Sequence, residues 1–153
     1  MNEGDVEQTN KYTVTAAQRI YPMPQFSASL NLLAAIQRVM AAVGYAQKQG
    51  MNEFHGYKYV TEADAIAALR PHMVKEGLLM IPSTEKSWID EQGNTHIIVR
   101  YSLIHAATGE SISFLVPGSG NDRAKSGAIG DKGVYKALTG ASKYALLKTF
   151  LME

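Results

Sequence analysis

Lys132, Lys136 and Lys143 share one narrow stripe of a helical wheel drawn at about 100° per residue, together with Thr139. Ammonium groups spaced one to two turns apart can follow successive phosphates of a nucleic-acid strand. The alternative is the solvated lysine face that surface helices commonly carry. Val134, Ala137, Leu138, Ala141 and Ala145 fall on the opposite, apolar side. Lys148 falls on that apolar side too, where a lysine must snorkel or meet a partner. Just before this segment runs Pro117-Gly118-Ser119-Gly120-Asn121-Asp122, the start of a glycine-rich loop expected over residues 117–133. Backbone amides of Gly118 to Gly120, with Arg123 and Lys125, offer a clamp for a sugar-phosphate chain. A flexible connector is the competing reading. The loop lacks the Gly-x-x-x-x-Gly-Lys-Ser/Thr pattern of a nucleotide-hydrolysing P-loop. Asp131 is expected to cap the helix that follows.

A second group of candidates is aromatic. Phe54, Tyr57 and Tyr59 lie beside His55 and Lys58. Rings next to cations can stack nucleobases without reading their sequence. Tyr57 and Tyr59 share parity in an extended segment, so packing into a core explains them equally well. Trp88 and Tyr101 are ambiguous in the same way. Arg100 is a strand candidate, because its parity opposes Val99, Tyr101 and Leu103.

No enzyme constellation emerges. His55, His72, His96 and His105 show no metal-ligand spacing, and Gly118-Ser119-Gly120 is not a nucleophile elbow. The carboxylates Glu62, Asp64, Asp90, Glu91 and Asp122 fall in helix starts and turns, where capping and solubility account for them. The absence of cysteine excludes disulfides, thiolate metal sites and cysteine nucleophiles, and fits a reducing compartment.

The elements that must position these residues belong to one domain: 153 residues with 46% hydrophobic content are enough for a real core. No apolar run approaches the roughly 18–20 residues of a membrane span. The acidic start, with Glu3, Asp5 and Glu7, is unlike a secretory signal. Net charge is only +1, yet from Gly118 onward Arg123, Lys125, Lys132, Lys136, Lys143 and Lys148 outnumber Asp122, Asp131 and Glu153. A local positive field of this kind binds phosphate even on a near-neutral chain.

Residues 1–24 read as an arm closed by Tyr21-Pro22-Met23-Pro24, either mobile or docked on a neighbouring subunit. A helix is expected over residues 27–45, with Ser27 or Ser29 as cap and Leu32, Leu33, Ile36, Val39, Met40 and Val43 on one face. A second helix starts at Thr61-Glu62-Ala63-Asp64 and stops at Gly77, with Pro71 expected to kink or divide it. Strands are expected over residues 78–89, 95–105 and 110–116, joined by turns too short for crossovers. The last helix is expected over residues 131–151. Strands grouped between helices make this an α+β fold: an antiparallel three-stranded meander packed on a long C-terminal helix, preceded by two helices.

Two stretches resemble the ERF (essential recombination function) family of phage single-strand annealing proteins. One is Phe54-His55-Gly56-Tyr57-Lys58-Tyr59-Val60 with the following helix through Ile66 and Leu69 to Pro71 and the strand entry at Gly77-Leu78. The more specific one is Gly130-Asp131-Lys132-Gly133-Val134-Tyr135-Lys136-Ala137-Leu138-Thr139, continued by Lys143-Tyr144-Ala145-Leu146-Leu147-Lys148-Thr149-Phe150-Leu151. The resemblance spans roughly residues 26–151, giving an annealing domain over residues 25–153 behind the arm. It implies a β-β-β-α core shared with the Rad fifty-two annealing domain, subunits side by side in a ring or filament, and DNA along a basic groove. Members of the family often carry an acidic stretch beyond this point, so the resemblance implies a continuation past Glu153.

The function implied is single-stranded DNA binding and annealing of complementary strands in recombination and repair, without ATP, cofactor or covalent chemistry. Implied partners are single-stranded DNA, further copies of the chain, and a phage exonuclease or host single-strand binding protein, in the cytoplasm of a bacterial host with no membrane contact. The DNA site is expected at Lys132, Lys136, Lys143, Lys148, Arg123 and Lys125, with Arg100, Tyr57, Lys58 and Tyr59 as further candidates. The rival readings are a single-strand coating adaptor that does not pair strands, and a nuclease.

Overall fold

The computed structural model describes residues 30–124 and 127–152. The expected arm, the Ser27 or Ser29 cap and Lys125 lie outside them. The elements are α1 (Leu30–Ala42), β1 (Gly50–Asn52), β2 (Tyr57–Tyr59), α2 (Glu62–Lys75), β3 (Leu78–Ile89), β4 (Thr95–His105), β5 (Ser111–Gly120) and α3 (Gly133–Thr149). The protein is α+β, with an antiparallel meander in the order β3-β4-β5 and a C-terminal helix. The part before the meander is more than two helices. The aromatic segment forms one arm of a hairpin, β1–β2, set between α1 and α2.

Local chemistry fixes the boundaries. Thr61 Oγ1 accepts from the Asp64 amide at 3.1 Å, and Asp64 Oδ2 accepts from the Thr61 amide at 2.8 Å. This reciprocal capping box starts α2 and holds the Asp64 carboxyl below its ordinary range. Pro71 does not divide α2. Proline removes the hydrogen bond to the carbonyl four residues back, and Ala67 and Pro71 both lie on the exposed side of the helix, where solvent is at hand to replace that bond. Gly77, at φ 64°, ends the α2 segment in the left-handed region that glycine adopts without strain. The β3–β4 pairing shifts between Thr84 and Lys86, leaving Glu85 as an extra residue.

Along β4, Ile97, Val99, Tyr101 and Leu103 are buried while Arg100 is exposed, the alternation of a sheet with one covered face. The first part of α3 covers that face. Ala137, Ala141 and Ala145 pack against Ile97, Val99 and Tyr101, and the Tyr101 ring stacks on Phe114 at 6.0 Å. The third strand continues to Gly120, past the expected end at Val116. Gly118 and Gly120 therefore belong to the sheet, opposite Ile97 and Thr95. A Cβ on Gly118 would lie 2.4 Å from the Ala137 carbonyl oxygen, and one on Gly120 would lie 2.2 Å from that of Gly133. These glycines let helix and strand approach closely, and they belong to a strand and not to the expected loop.

The end of α3 has different neighbours. Leu146 and Phe150 enter a second core built from Leu32, Ala35 and Val39 of α1, Ala65, Leu69 and Met73 of α2, and Leu78 and Leu103 of the sheet. Arg38 and Glu76 tie α1 to the end of α2 by an ion pair at 2.5 Å. Because the buried side of α3 turns between its two halves, Lys148 is exposed despite its place on the apolar side of an ideal wheel.

Candidate nucleic-acid interface

The hairpin brings the two groups of sequence candidates together. Pairing of Gly50 with Tyr59 and of Asn52 with Tyr57 places both tyrosines on one face and Lys58 on the other. Asn52 Oδ1 accepts from the His55 amide at 3.0 Å and the Asn52 carbonyl accepts from the Gly56 amide at 2.7 Å, closing the hairpin tip. A Cβ on Gly50 would meet the Tyr59 ring at 2.9 Å, so the missing side chain makes room for that ring.

Tyr57 and Tyr59 face α3 across an open cleft of about 610 Å³, whose walls also include Met51, Asn52, Lys143 and Tyr144. Lys143 Nζ lies 5.6 Å from the centre of the Tyr59 ring and 5.0 Å from that of Tyr144. Both are cation–π distances. The tyrosines are not core residues: Tyr57 is 52% exposed and Tyr144 equally so. Phe54, at the hairpin tip, is 90% exposed and meets His55 edge-on.

Lys132 and Lys136 continue the stripe toward the start of α3, beside a depression lined by Asp131, Lys132, Tyr135, Lys136 and Thr139. From Lys132 to Lys143 the helix rises by about 16 Å at 1.5 Å per residue. Asp131 is not the cap. The N-cap position is Lys132, without a side-chain cap, and Asp122 of the preceding loop holds that residue, its Oδ2 accepting from the Lys132 amide at 3.0 Å. Its Oδ1 accepts from Lys136 Nζ at 2.6 Å, and the same ammonium donates to the Asn121 carbonyl at 2.9 Å. The Lys136 hydrogen bond and then the Lys132 amide hold the Asp122 carboxyl below its ordinary range.

The other candidates are placed differently. Arg123 donates from its guanidinium to the Gln92 carbonyl, and its backbone bridges to Ile129. It thus fastens the loop to the β3–β4 turn. Asn121 reinforces this by donating to Asn94 Oδ1 at 2.6 Å. Within the turn, Asp90 accepts from the Asn94 amide at 2.8 Å and lies 2.8 Å from His96 Nε2. These contacts, His96 first, hold the Asp90 carboxyl far below its ordinary range. Arg100 is on the sheet face opposite Val99 and Tyr101, paired with Glu85 at 2.6 Å. The sheet separates it from α3. Trp88 shares that outer face, stacked on His96 at 5.1 Å with Lys86 Nζ 5.1 Å from its ring. Tyr101 is core. Lys58 and Lys148 are exposed but line neither depression.

Of the candidates, then, Tyr57, Tyr59 and Lys143 converge, and Lys132 and Lys136 extend the same helix. Sequence reasoning missed Tyr144 as a cleft wall and Asp122 as the anchor of Lys136. The adjacency of Tyr144 to Lys143 was a usable signal. Nothing local pointed to Asp122, because its partners are ten and fourteen residues away. Among the described residues no group of three His, Asp or Glu side chains is placed to hold a metal ion. No described helix is long and apolar enough to cross a membrane.

No individual curated protein matches the chain significantly. The ERF superfamily model matches residues 32–153, which takes in both cores, the hairpin, the meander and α3. With most of its length matched, the chain belongs to the ERF superfamily, whose members are linked to single-strand annealing in phage recombination.

Proposed function

We propose that the protein binds single-stranded DNA along α3 and the β1–β2 hairpin and anneals complementary strands without ATP, as a homo-oligomer. The observation that carries this reading is the Lys143 ammonium set between the Tyr59 and Tyr144 rings in a cleft that Tyr57 also walls. A cation there neutralises phosphate, and the ring faces accept bases of any sequence. Lys132 extends the positive track, and Lys136, ion-paired with Asp122 in the free protein, lies along it. A strand held by its backbone keeps base edges available, and neutralised strands approach one another without repulsion. Pairing is then downhill and needs no nucleotide.

The test is annealing of two complementary labelled oligonucleotides in the absence of nucleotide, with binding measured in parallel. Lys143→Ala and Tyr59→Ala are expected to slow annealing and weaken binding to mixed-sequence and homopolymer strands alike. Binding without any acceleration of pairing would leave only a coating role. Magnesium-dependent cleavage of the labelled strand would indicate a nuclease. Unchanged binding by both folded variants would remove the cleft from the site.

A further inference from the structure

Lys136 is the middle lysine of the stripe, yet its ammonium is already engaged. Asp122 Oδ1 accepts from it at 2.6 Å and the Asn121 carbonyl at 2.9 Å. The pair is solvent-accessible, with the lysine side chain 52% exposed and the aspartate 21%. Oxygen ligands of this kind, one of them anionic, are what a phosphodiester would offer the same ammonium. The carboxylate is also braced. Its second oxygen accepts from the Lys132 amide, and its own carbonyl accepts from the Gly130 amide at 2.7 Å. Gly130 has no side chain to push it away: a Cβ there would lie 2.2 Å from Asp122 Oδ2. The loop bearing Asp122 is fastened in turn to the β3–β4 turn by Asn121 and Arg123.

We infer that Asp122 is an intramolecular competitor that occupies Lys136 in the free protein and must yield it to a DNA phosphate, thereby setting the affinity for the strand. This rests on the single-stranded DNA reading above. The consequence follows from charge. An ammonium paired with a fixed carboxylate brings no net positive charge to the strand, so the Lys136–Asp122 pair adds little to counterion release. Lys143 lies against two rings and forms no ion pair with a described carboxylate, although Glu53 lines the same cleft, so its charge is less committed than that of Lys136. Removing the carboxylate charge should therefore add one effective phosphate contact.

Asp122→Asn removes the charge and keeps an oxygen to accept from the Lys132 amide. Asp122→Ser is a second variant that retains an acceptor of the helix-capping type. Each is measured for binding to a labelled oligothymidylate over a salt series, alongside the native protein, Lys136→Ala and Asp122→Asn/Lys136→Ala. Thermal denaturation checks folding. In the charge-removed variants we expect affinity to rise about fivefold at 0.1 M salt and the salt slope to steepen by about 0.7, the value for one phosphate on a single strand. In the Lys136→Ala background the steepening should vanish, because no ammonium is left there to take a phosphate, and only the smaller, salt-screened gain from losing a repulsive carboxylate should remain. A purely structural role for Asp122 would instead weaken binding and lower the melting temperature with no steeper slope. That result, or a steepening of the salt slope that persists without Lys136, overturns the inference while native binding stands. If the native protein does not bind the oligonucleotide, the proposed function fails and the inference with it.

Discussion

Lys136 and Lys143 share a stripe of one helix but not a chemistry. The first is paired with a carboxylate and the second sits against tyrosine rings. The stripe was legible from spacing alone, whereas its partners were not, because a helical wheel carries no information about what folds over it. Two predictions belong to this scale. Lys143→Ala should reduce the salt slope of single-strand binding by about 0.7, and Tyr59→Ala should weaken binding by about 1–3 kcal/mol with the slope nearly unchanged. A salt series on both variants separates the electrostatic from the stacking contribution. The second concerns acid. Asp64, Asp90, Glu85 and Asp122 all have carboxyls held below their ordinary range by hydrogen bonds and cationic partners. A group with a depressed folded pKa stabilises fully above its unfolded value, near pH 4, and loses that stabilisation as pH falls toward the folded value. The melting temperature should therefore drop as pH falls below about 4. Asp90→Asn, which cannot titrate, should show a shallower drop, measured by thermal denaturation at a series of acidic pH values.

At the scale of elements, what the sequence revealed tracks the strength of its periodicity. The meander and the helices were legible because alternation, capping residues and turn glycines agree over long stretches. The hairpin was not, because β1 and β2 are each three residues long, too short for alternation to register. The end of the third strand was missed for a different reason. Pro117-Gly118-Ser119-Gly120 has the composition of a loop, and only the packing of α3 shows why glycine is needed in a strand there. This packing gives a paired test. Gly118→Ala and Gly120→Ala should each destabilise the fold by about 1–3 kcal/mol, the cost of overpacking. Gly140→Ala, inside α3 with nothing within 4 Å of the added Cβ, should instead stabilise by up to about 1 kcal/mol through helix propensity. Chemical denaturation midpoints for the three variants check both signs.

For the whole molecule, α3 is the element that joins the parts. Its alanines pack on the sheet, its last turns enter the α1–α2 core, and its Lys143 lines the hairpin cleft. Among the described residues both cores run from Leu32 to Met152, and residues 1–24 are too poor in apolar side chains to form a core alone, so deleting them should leave the domain folded with a melting temperature nearly unchanged. An effect of that deletion on oligomer size or DNA affinity would place the arm between subunits, and unfolding would make it part of the core.

The assembly prediction follows from the sheet. Among the described residues, β3 and β5 each pair on one side only, with β4. They are long for edges, at twelve and ten residues. Unpaired edges of this length offer their backbone groups to another strand. Because β3 and β5 are both antiparallel to β4, they run in the same direction. A β5 edge meeting the β3 edge of the next copy makes a head-to-tail contact, and such a contact repeats until a ring closes or a filament grows. Repetition would also set successive α3 stripes in register, extending one short basic track into a continuous one for a long strand. Light scattering at micromolar concentration should therefore show a large homo-oligomer, and a strand long enough to span several copies should bind more tightly than a short one. A species of monomer mass at that concentration, both with and without DNA, would rule out the assembly and leave each copy to hold its strand alone.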